Sequence, residues 1–123
     1  MRLEDARYFN LATFRKNGVA VETPVWFAPS GTTFYVFSAG EAGKVKRIRN
    51  SARARVAPCD GGGRVLGDWS EATARLLNDR AEIERAYAAL RARYGWQMRI
   101  TDAFSLLSGR YHRRALIAVE LVR

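Results

Sequence analysis

The chain has 123 residues, a length that suits one domain spanning 1–123, and its 48% apolar composition excludes a disordered polymer. Lysine and arginine number 21 against 12 acidic residues, a formal net charge of +9 that favours an anionic partner: nucleic acid, anionic lipid or a phosphorylated ligand. The single cysteine, Cys59, excludes an intrachain disulfide, and no run is long and apolar enough to be a secretory leader or to span a bilayer, so a cytoplasmic protein without a membrane partner is expected.

In chain order, "RLEDARYF" has the spacing of a short helix. "NLATFRKNG" predicts a strand that turns at Asn17-Gly18, two residues that tolerate positive φ and so favour a hairpin. "VAVETPVWFAP" continues from it, with Val19, Val21, Thr23, Val25 and Phe27 on one face and Ala20, Glu22, Pro24 and Trp26 on the other. Pro24 cannot donate to a ladder, so the strand is expected to lie at an edge there or to bulge. "TTFYVFSA" predicts the third strand. "AGKVKRIRN" predicts a short helix with Val45 and Ile48 as its apolar stripe. "RARVAPC" predicts the fourth strand, "DGGGRVLGD" a flexible turn and "WSEATARLL" the fifth strand, with Ala72, Ala74 and Leu76 on one face.

The period then changes. "DRAEIERAYAALRARYG" places Ile83, Tyr87, Leu90 and Tyr94 on one helical face, capped by Asp79 and ended by Gly95. "TDAFSLLSG" predicts a second, shorter helix ending at Gly109, and "RRALIAVELV" a sixth strand that returns to pair with an early one. Six short strands with tight turns predict a mainly β, α+β fold: a small antiparallel barrel, with an open sheet as the alternative.

The sequence offers little protein-borne chemistry. One histidine, His112, and one cysteine stand far apart, and no CxxC pair, HExxH, EF-hand loop or GxSxG elbow occurs, so neither a metal site nor a nucleophile triad is expected. "GGGR" at 61–64 lacks the GK[ST] of a phosphate loop. Reactive chemistry, if any, is expected from a cofactor.

The basic segment is the candidate site. On a helical wheel Val45 and Ile48 face inward, Lys44 and Arg49 flank them, and Lys46 and Arg47 point further toward solvent. Gly40 and Gly43 stand at the entrance, where a backbone without a Cβ admits a ligand closely. A helix start supplies free N–H groups and a positive dipole end. Lys44, Lys46 and Arg47 would add charge, making a compact phosphate site. The same pattern fits a solvated basic helix with no ligand. Nucleic-acid binding is not expected, because Phe34 and Tyr35 are adjacent and face opposite ways, so they make no stacking platform. "TPVWF" offers a flat apolar slot where Pro24 interrupts pairing, with Trp26 as a wall or as core packing.

"LATFRKNGVAVETPVWF", "TFYVFSA", "GKVKRIRNSARARVAPCD" and "GDWSEATARLL", in this order, resemble the pyridoxamine-phosphate-oxidase-like split β-barrel proteins, and within them the branch of oxidoreductases that use the deazaflavin coenzyme F420. The resemblance covers roughly residues 8–95. It implies a six-stranded antiparallel split barrel of the FMN-binding type, usually a homodimer with cofactors at the subunit interface. It implies that Thr23, Pro24, Val25 and Trp26 line the ring, that Ser38 and Ala39 approach the phosphate-bearing chain, and that Gly43, Lys44 and Lys46 or Arg47 hold the phosphate. The glutamate tail of F420 is anionic as well. The activity implied is hydride transfer between F420 and a small organic substrate, with FMN as the alternative cofactor. A non-enzymatic protein binding a flavin-like or haem ligand is the other reading. No residue stands out as a catalytic acid or base; Tyr111, His112 and the late helix are candidates for a substrate pocket.

Overall fold

The computed structural model describes residues 1–39, 43–95 and 114–122. Six strands form: β1 (Tyr8–Phe14), β2 (Ala20–Ser30), β3 (Thr33–Ala39), β4 (Arg53–Cys59), β5 (Ser70–Leu76) and β6 (Arg114–Leu121). They close antiparallel into a barrel in the order β1-β2-β3-β6-β5-β4, with β4 returning to β1. The returning last strand lies between β3 and β5. The barrel, and not the open sheet, is the architecture. "RLEDARYF" makes only a 3-10 turn at Leu3–Asp5, because Tyr8 and Phe9 are drawn into β1, where Phe9 is fully buried.

Alternation fills the interior. Phe9, Leu11, Val25, Phe27, Phe34, Val36, Val56, Ile117 and Val119 share it with the small Ala54, Ala72 and Ala74. The bulky rings of β1–β3 thus face alanines on β4 and β5, a large-to-small match that a narrow barrel requires. Phe9 and Phe27 stack at 4.3 Å, and Phe34 meets both edge-on.

The β1–β2 turn differs from the expected two-residue form. Gly18 alone takes positive φ, at 88°. Arg15 N–H donates to Val19 O, so the loop has three residues, and Asn17 Oδ1 accepts from Val19 N–H. Asn17 itself does not take positive φ; its side chain instead caps the turn by accepting from the residue two positions on.

β2 changes partners along its length. Residues 20–26 pair with β1, and the pairing with β3 begins at Phe27, opposite Val36. Pro24 sits opposite Asn10 in unbroken register, so the strand is at an edge there and not bulged. β2 and β3 therefore splay apart below Phe27, leaving an open edge among the described residues.

Helix α1 (Gly43–Asn50) closes one end of the barrel, with Val45 and Ile48 buried and Ile48 in the core. Helix α2 (Arg80–Tyr94) packs outside β2 and β3, with Ala86, Leu90 and Tyr94 against Trp26, Ala28, Tyr35 and Phe37. Asp79 Oδ2 accepts from Glu82 N–H at its start, and Gly95, at φ 56°, ends it. The shorter late helix, Gly109, Tyr111 and His112 lie outside the described residues, as does Gly40.

Glu82 ties α2 to the barrel. Its carboxylate takes two bonds from Arg75 on β5, at 2.7 and 2.8 Å, and one from the Tyr35 hydroxyl on β3, at 3.0 Å. The Arg75 guanidinium, more than the Tyr35 bond, holds the Glu82 carboxyl down at about 2. Since this is below the usual carboxylate value, the stabilisation is complete above pH ~4.3 and is lost as pH falls toward 2. Thermal melts from neutral to low pH check this. Glu82→Gln melts below the parent near neutrality, and the gap narrows as pH approaches 2; a gap independent of pH would assign the stabilisation to packing instead.

Candidate functional site

The predicted residues fall into two groups joined by β1. On the open stretch of β2, Thr23 is half-buried, Pro24 is exposed and Val25 points into the barrel core. Trp26 is half-buried on the outer face, stacked on Tyr94 at 4.7 Å and edge-on to Phe37. Across the splay, β3 ends at Ser38, which is buried, and Ala39, which pairs with Arg114.

The second group is on α1. Gly43 begins the helix, Lys44 is half-buried, Lys46 is exposed and Arg47 is half-buried. Arg47 corrects the wheel, which turned it to solvent. Its Nε donates to Thr13 Oγ1 at 2.6 Å, and Thr13 is fully buried on the inward face of β1. Its Nη1 lies 2.7 Å from where a Cβ on Gly43 would stand. The missing Cβ is what lets the guanidinium fold back over the helix start. Lys46, two residues from Lys44, faces a different direction and is not part of this cluster.

Register connects the groups. Thr13 pairs with Val21 and Leu11 with Thr23, so Arg47, held by Thr13, sits beside the β1 residues that face the open stretch of β2.

Among the described residues the cluster carries uncompensated charge. No ion pair within 4.0 Å reaches Arg15, Lys44 or Arg47 among the described residues. Burial, and after it the charge of Arg47, pulls Lys44 below the ordinary lysine value. Burial, and then Arg15, pulls Arg47 down likewise. Like charges held together in partly dehydrated surroundings are relieved by an anion, so these residues fit the acidic end of a ligand.

The basic surface continues past this point. A groove of about 360 Å³ runs between the β1–β2 loop and the start of β4, lined by Phe14, Arg15, Lys16, Gly18, Asn50, Ser51 and Arg53. Arg53 lies over the Phe14 ring at 4.3 Å. Arg15 belongs both to this groove and to the surroundings of Arg47.

Sequence reasoning passed over Thr13, Arg15 and Tyr94. Thr13 had a signal: it is the polar member of the inward series Phe9, Leu11, Thr13. The Tyr94 hydroxyl accepts from Phe27 N–H at 2.8 Å and lies 2.7 Å from Phe27 O and 3.0 Å from Arg7 O. It bridges the start of β1 and β2 where their own pairing stops, and burial pushes its pKa above the ordinary phenol value, making it a weaker acid. Arg93 supports the same corner, lying over Phe27 and donating to Ala6 O.

Cys59 is packing. It is 2% exposed, and burial, with Asp60 second, pushes its thiol up to about 11, which leaves it protonated and unreactive. The glycine turn is held from within and by β1: Asp60 Oδ1 accepts from Gly62 and Arg64 N–H, and Gly63 O accepts from Asn10 Nδ2.

The haem storage protein HutZ of Vibrio cholerae has a similar structure, with a TM-score of 0.71 at 14% identity over 100% of this chain and 92% of its own. A FAD-binding protein of Mesorhizobium loti gives 0.62 at 18% identity, covering 98% of this chain and 83% of its own. A conserved hypothetical protein of Mycobacterium tuberculosis gives 0.72 at 17% identity, covering 98% and 76%. At these identities the likeness shows a shared fold. No curated protein matches the chain by sequence. Residues 2–121 match the sequence profile described as pyridoxamine 5'-phosphate oxidase, and a match over almost the whole chain, on a closed six-stranded barrel with a basic helix at its end, places the chain in the pyridoxamine 5'-phosphate oxidase family.

Proposed function

We propose that the chain is an oxidoreductase that binds the deazaflavin coenzyme F420 and transfers a hydride between it and a small organic substrate. The observation that carries the reading is the cluster of Lys44 and Arg47, without an ion-pair partner among the described residues, beside the groove of Arg15, Lys16 and Arg53. One phosphate is served by Lys44 and Arg47. The further cations suit a coenzyme with an extended anionic tail, which F420 has and FMN lacks. FMN is the second reading, supported by the family and by the flavin-type ligand in the name of the Mesorhizobium loti protein.

In this reading Gly43, Lys44 and Arg47 hold the phosphate, with Ser38 and Ala39 alongside the chain that bears it and Lys46 adding charge from outside. The open stretch of β2 at Thr23, Pro24, Val25 and Trp26 flanks the ring, its unpaired main chain offering donors and acceptors to a polar ring edge. The coenzyme supplies the hydride chemistry, and the protein contributes binding, orientation and exclusion of water. Tyr94 keeps that part of β2 in place through the Phe27 main chain and the Trp26 ring. A homodimer with the coenzymes at its interface completes the proposal.

Titration of the purified protein with F420, FMN and haemin side by side tests it. Tight binding of F420, followed by oxidation of the reduced coenzyme on adding an electron-accepting substrate panel, is the expected result. Preferential FMN binding replaces F420 with a flavin, and preferential haemin binding removes the oxidoreductase reading.

A further inference from the structure

The ladder between β1 and β2 has a parity set at its turn. Arg15 N–H donates to Val19 O at 2.9 Å, so that pair is hydrogen-bonded, and in an antiparallel ladder every second pair after it is bonded too. The register runs unbroken from Phe14–Ala20 to Tyr8–Trp26, which puts Thr13–Val21, Leu11–Thr23 and Phe9–Val25 in the bonded series. Its next member is Arg7–Phe27. There the direct bond is replaced. Phe27 N–H donates to the Tyr94 hydroxyl at 2.8 Å, and that oxygen lies 3.0 Å from Arg7 O and 2.7 Å from Phe27 O. The oxygen accepts from the amide while its one proton goes to one of the two carbonyls. A side chain of α2 thus occupies the rung, which becomes two hydrogen bonds wide instead of one.

The last turn of α2 holds this insertion firmly. Tyr94 is buried, its ring stacks on Trp26 at 4.7 Å, and Arg93 beside it lies over the Phe27 ring and donates to Ala6 O. Phe27 is also where the pairing of β2 with β3 begins, opposite Val36. The widened rung therefore sits at the fork where β2 and β3 part, one residue from Trp26. Closing the rung draws β2 toward β1 at that fork and shifts the Trp26 ring against Phe37, which it meets edge-on at 6.1 Å.

We propose that the Tyr94 hydroxyl is an inserted rung that sets the width of the slot for a planar ring at the fork of β2 and β3, which makes Tyr94 a positioning residue acting through Phe27 and Trp26. This rests on the reading that a coenzyme ring lies along that stretch of β2, and it adds that the fit of the ring, and not the grip on the phosphate, depends on this one hydroxyl.

Tyr94→Phe keeps the stacked ring and removes the hydroxyl alone. Fluorescence titration compares it with the parent and with Arg47→Ala on two pairs of ligands: F420 and its deazaflavin ring without phosphate or tail, and FMN and riboflavin. For the pair that the parent binds, Tyr94→Phe is expected to weaken the phosphorylated and the phosphate-free ligand by the same factor, roughly three- to tenfold, as loss of one hydrogen bond does. Arg47→Ala weakens only the phosphorylated one. A purely structural role for Tyr94 lowers the melting temperature without producing this crossed pattern. A folded Tyr94→Phe protein that binds the phosphate-free ring like the parent overturns the proposal, whether or not it loses affinity for the phosphorylated ligand. Should Tyr94→Phe not fold, amide hydrogen exchange of the parent decides: the bound coenzyme is expected to slow exchange at Trp26 and Phe27 by roughly tenfold or more when well above its Kd, and beyond its effect at Ala72 and Ala74 on β5. Equal slowing at the two places uncouples the rung from the slot and overturns the proposal. A parent that binds none of the four ligands ends the coenzyme reading and this inference with it, whereas ring binding that ignores the hydroxyl ends this inference alone.

Discussion

Arg47→Ala is expected to weaken coenzyme binding by ~1.5–3 kcal/mol, on the order of ten- to a hundredfold in Kd, as loss of a hydrogen bond to a charged group does. The guanidinium is held by Nε, which is bonded to the buried Thr13 hydroxyl, and its Nη side lies over Gly43. It therefore loses little freedom when an anion arrives, which raises its contribution above that of a mobile surface lysine. Arg47→Lys keeps the charge but loses the fork and the Thr13 bond, so it recovers only part of the affinity. Fluorescence titration against the parent measures both variants, and a thermal melt separates lost affinity from lost fold. Unchanged affinity in a folded Arg47→Ala protein removes α1 from the site. Lys46→Ala, on an exposed side chain outside the cluster, changes affinity much less than Arg47→Ala.

Phe27→Ala is expected to destabilise the fold by ~3–5 kcal/mol, the cost of a large cavity in a packed core. That is a large share of the ~5–15 kcal/mol that holds a domain of this size together. Phe27 is fully buried, stacked on Phe9, met edge-on by Phe34 and covered by the Arg93 guanidinium at 4.5 Å. The neighbours that could collapse into the space are themselves anchored: Phe9 and Phe34 lie on strands paired on both sides. Phe27→Leu, which keeps most of the volume, costs much less. Urea unfolding of the two variants gives the comparison. A loss below ~1 kcal/mol for the alanine variant would mean that the barrel relaxes into the cavity, contrary to the close packing of this interior. Phe27 is also the residue at which β2 passes from β1 to β3, so its loss loosens the corner that Tyr94 holds and the stretch beside Trp26.

Much of the fold was legible because it is written in short spacings. Alternation at every second residue marked β2 and β5, β-branched and aromatic residues marked β3, and the shift to helical spacing after Asp79 marked α2. Val45 and Ile48 gave the buried face of α1, and Pro24 announced an edge or a bulge, of which register shows the edge. The opening stretch misled, because "RLEDARYF" has helical spacing on paper while burial of Phe9 in the barrel overrides it.

The candidate site divides along the same line. The residue types of the cluster (Gly43, Lys44, Arg47) stand within one turn of a helix, so the sequence brought them together by itself. It also determined the charge, the six strands and the place where Pro24 interrupts β2 as an edge or a bulge. The direction in which Arg47 points was decided only in the tertiary structure, by a hydroxyl 34 residues away in sequence on β1. So was the bridge from Tyr94 to Phe27, across 67 residues. Periodicity carries information over three or four residues, whereas these bonds exist only once strand order and register have set distant segments side by side, and the order β1-β2-β3-β6-β5-β4 is a property of the closed barrel and of no segment within it.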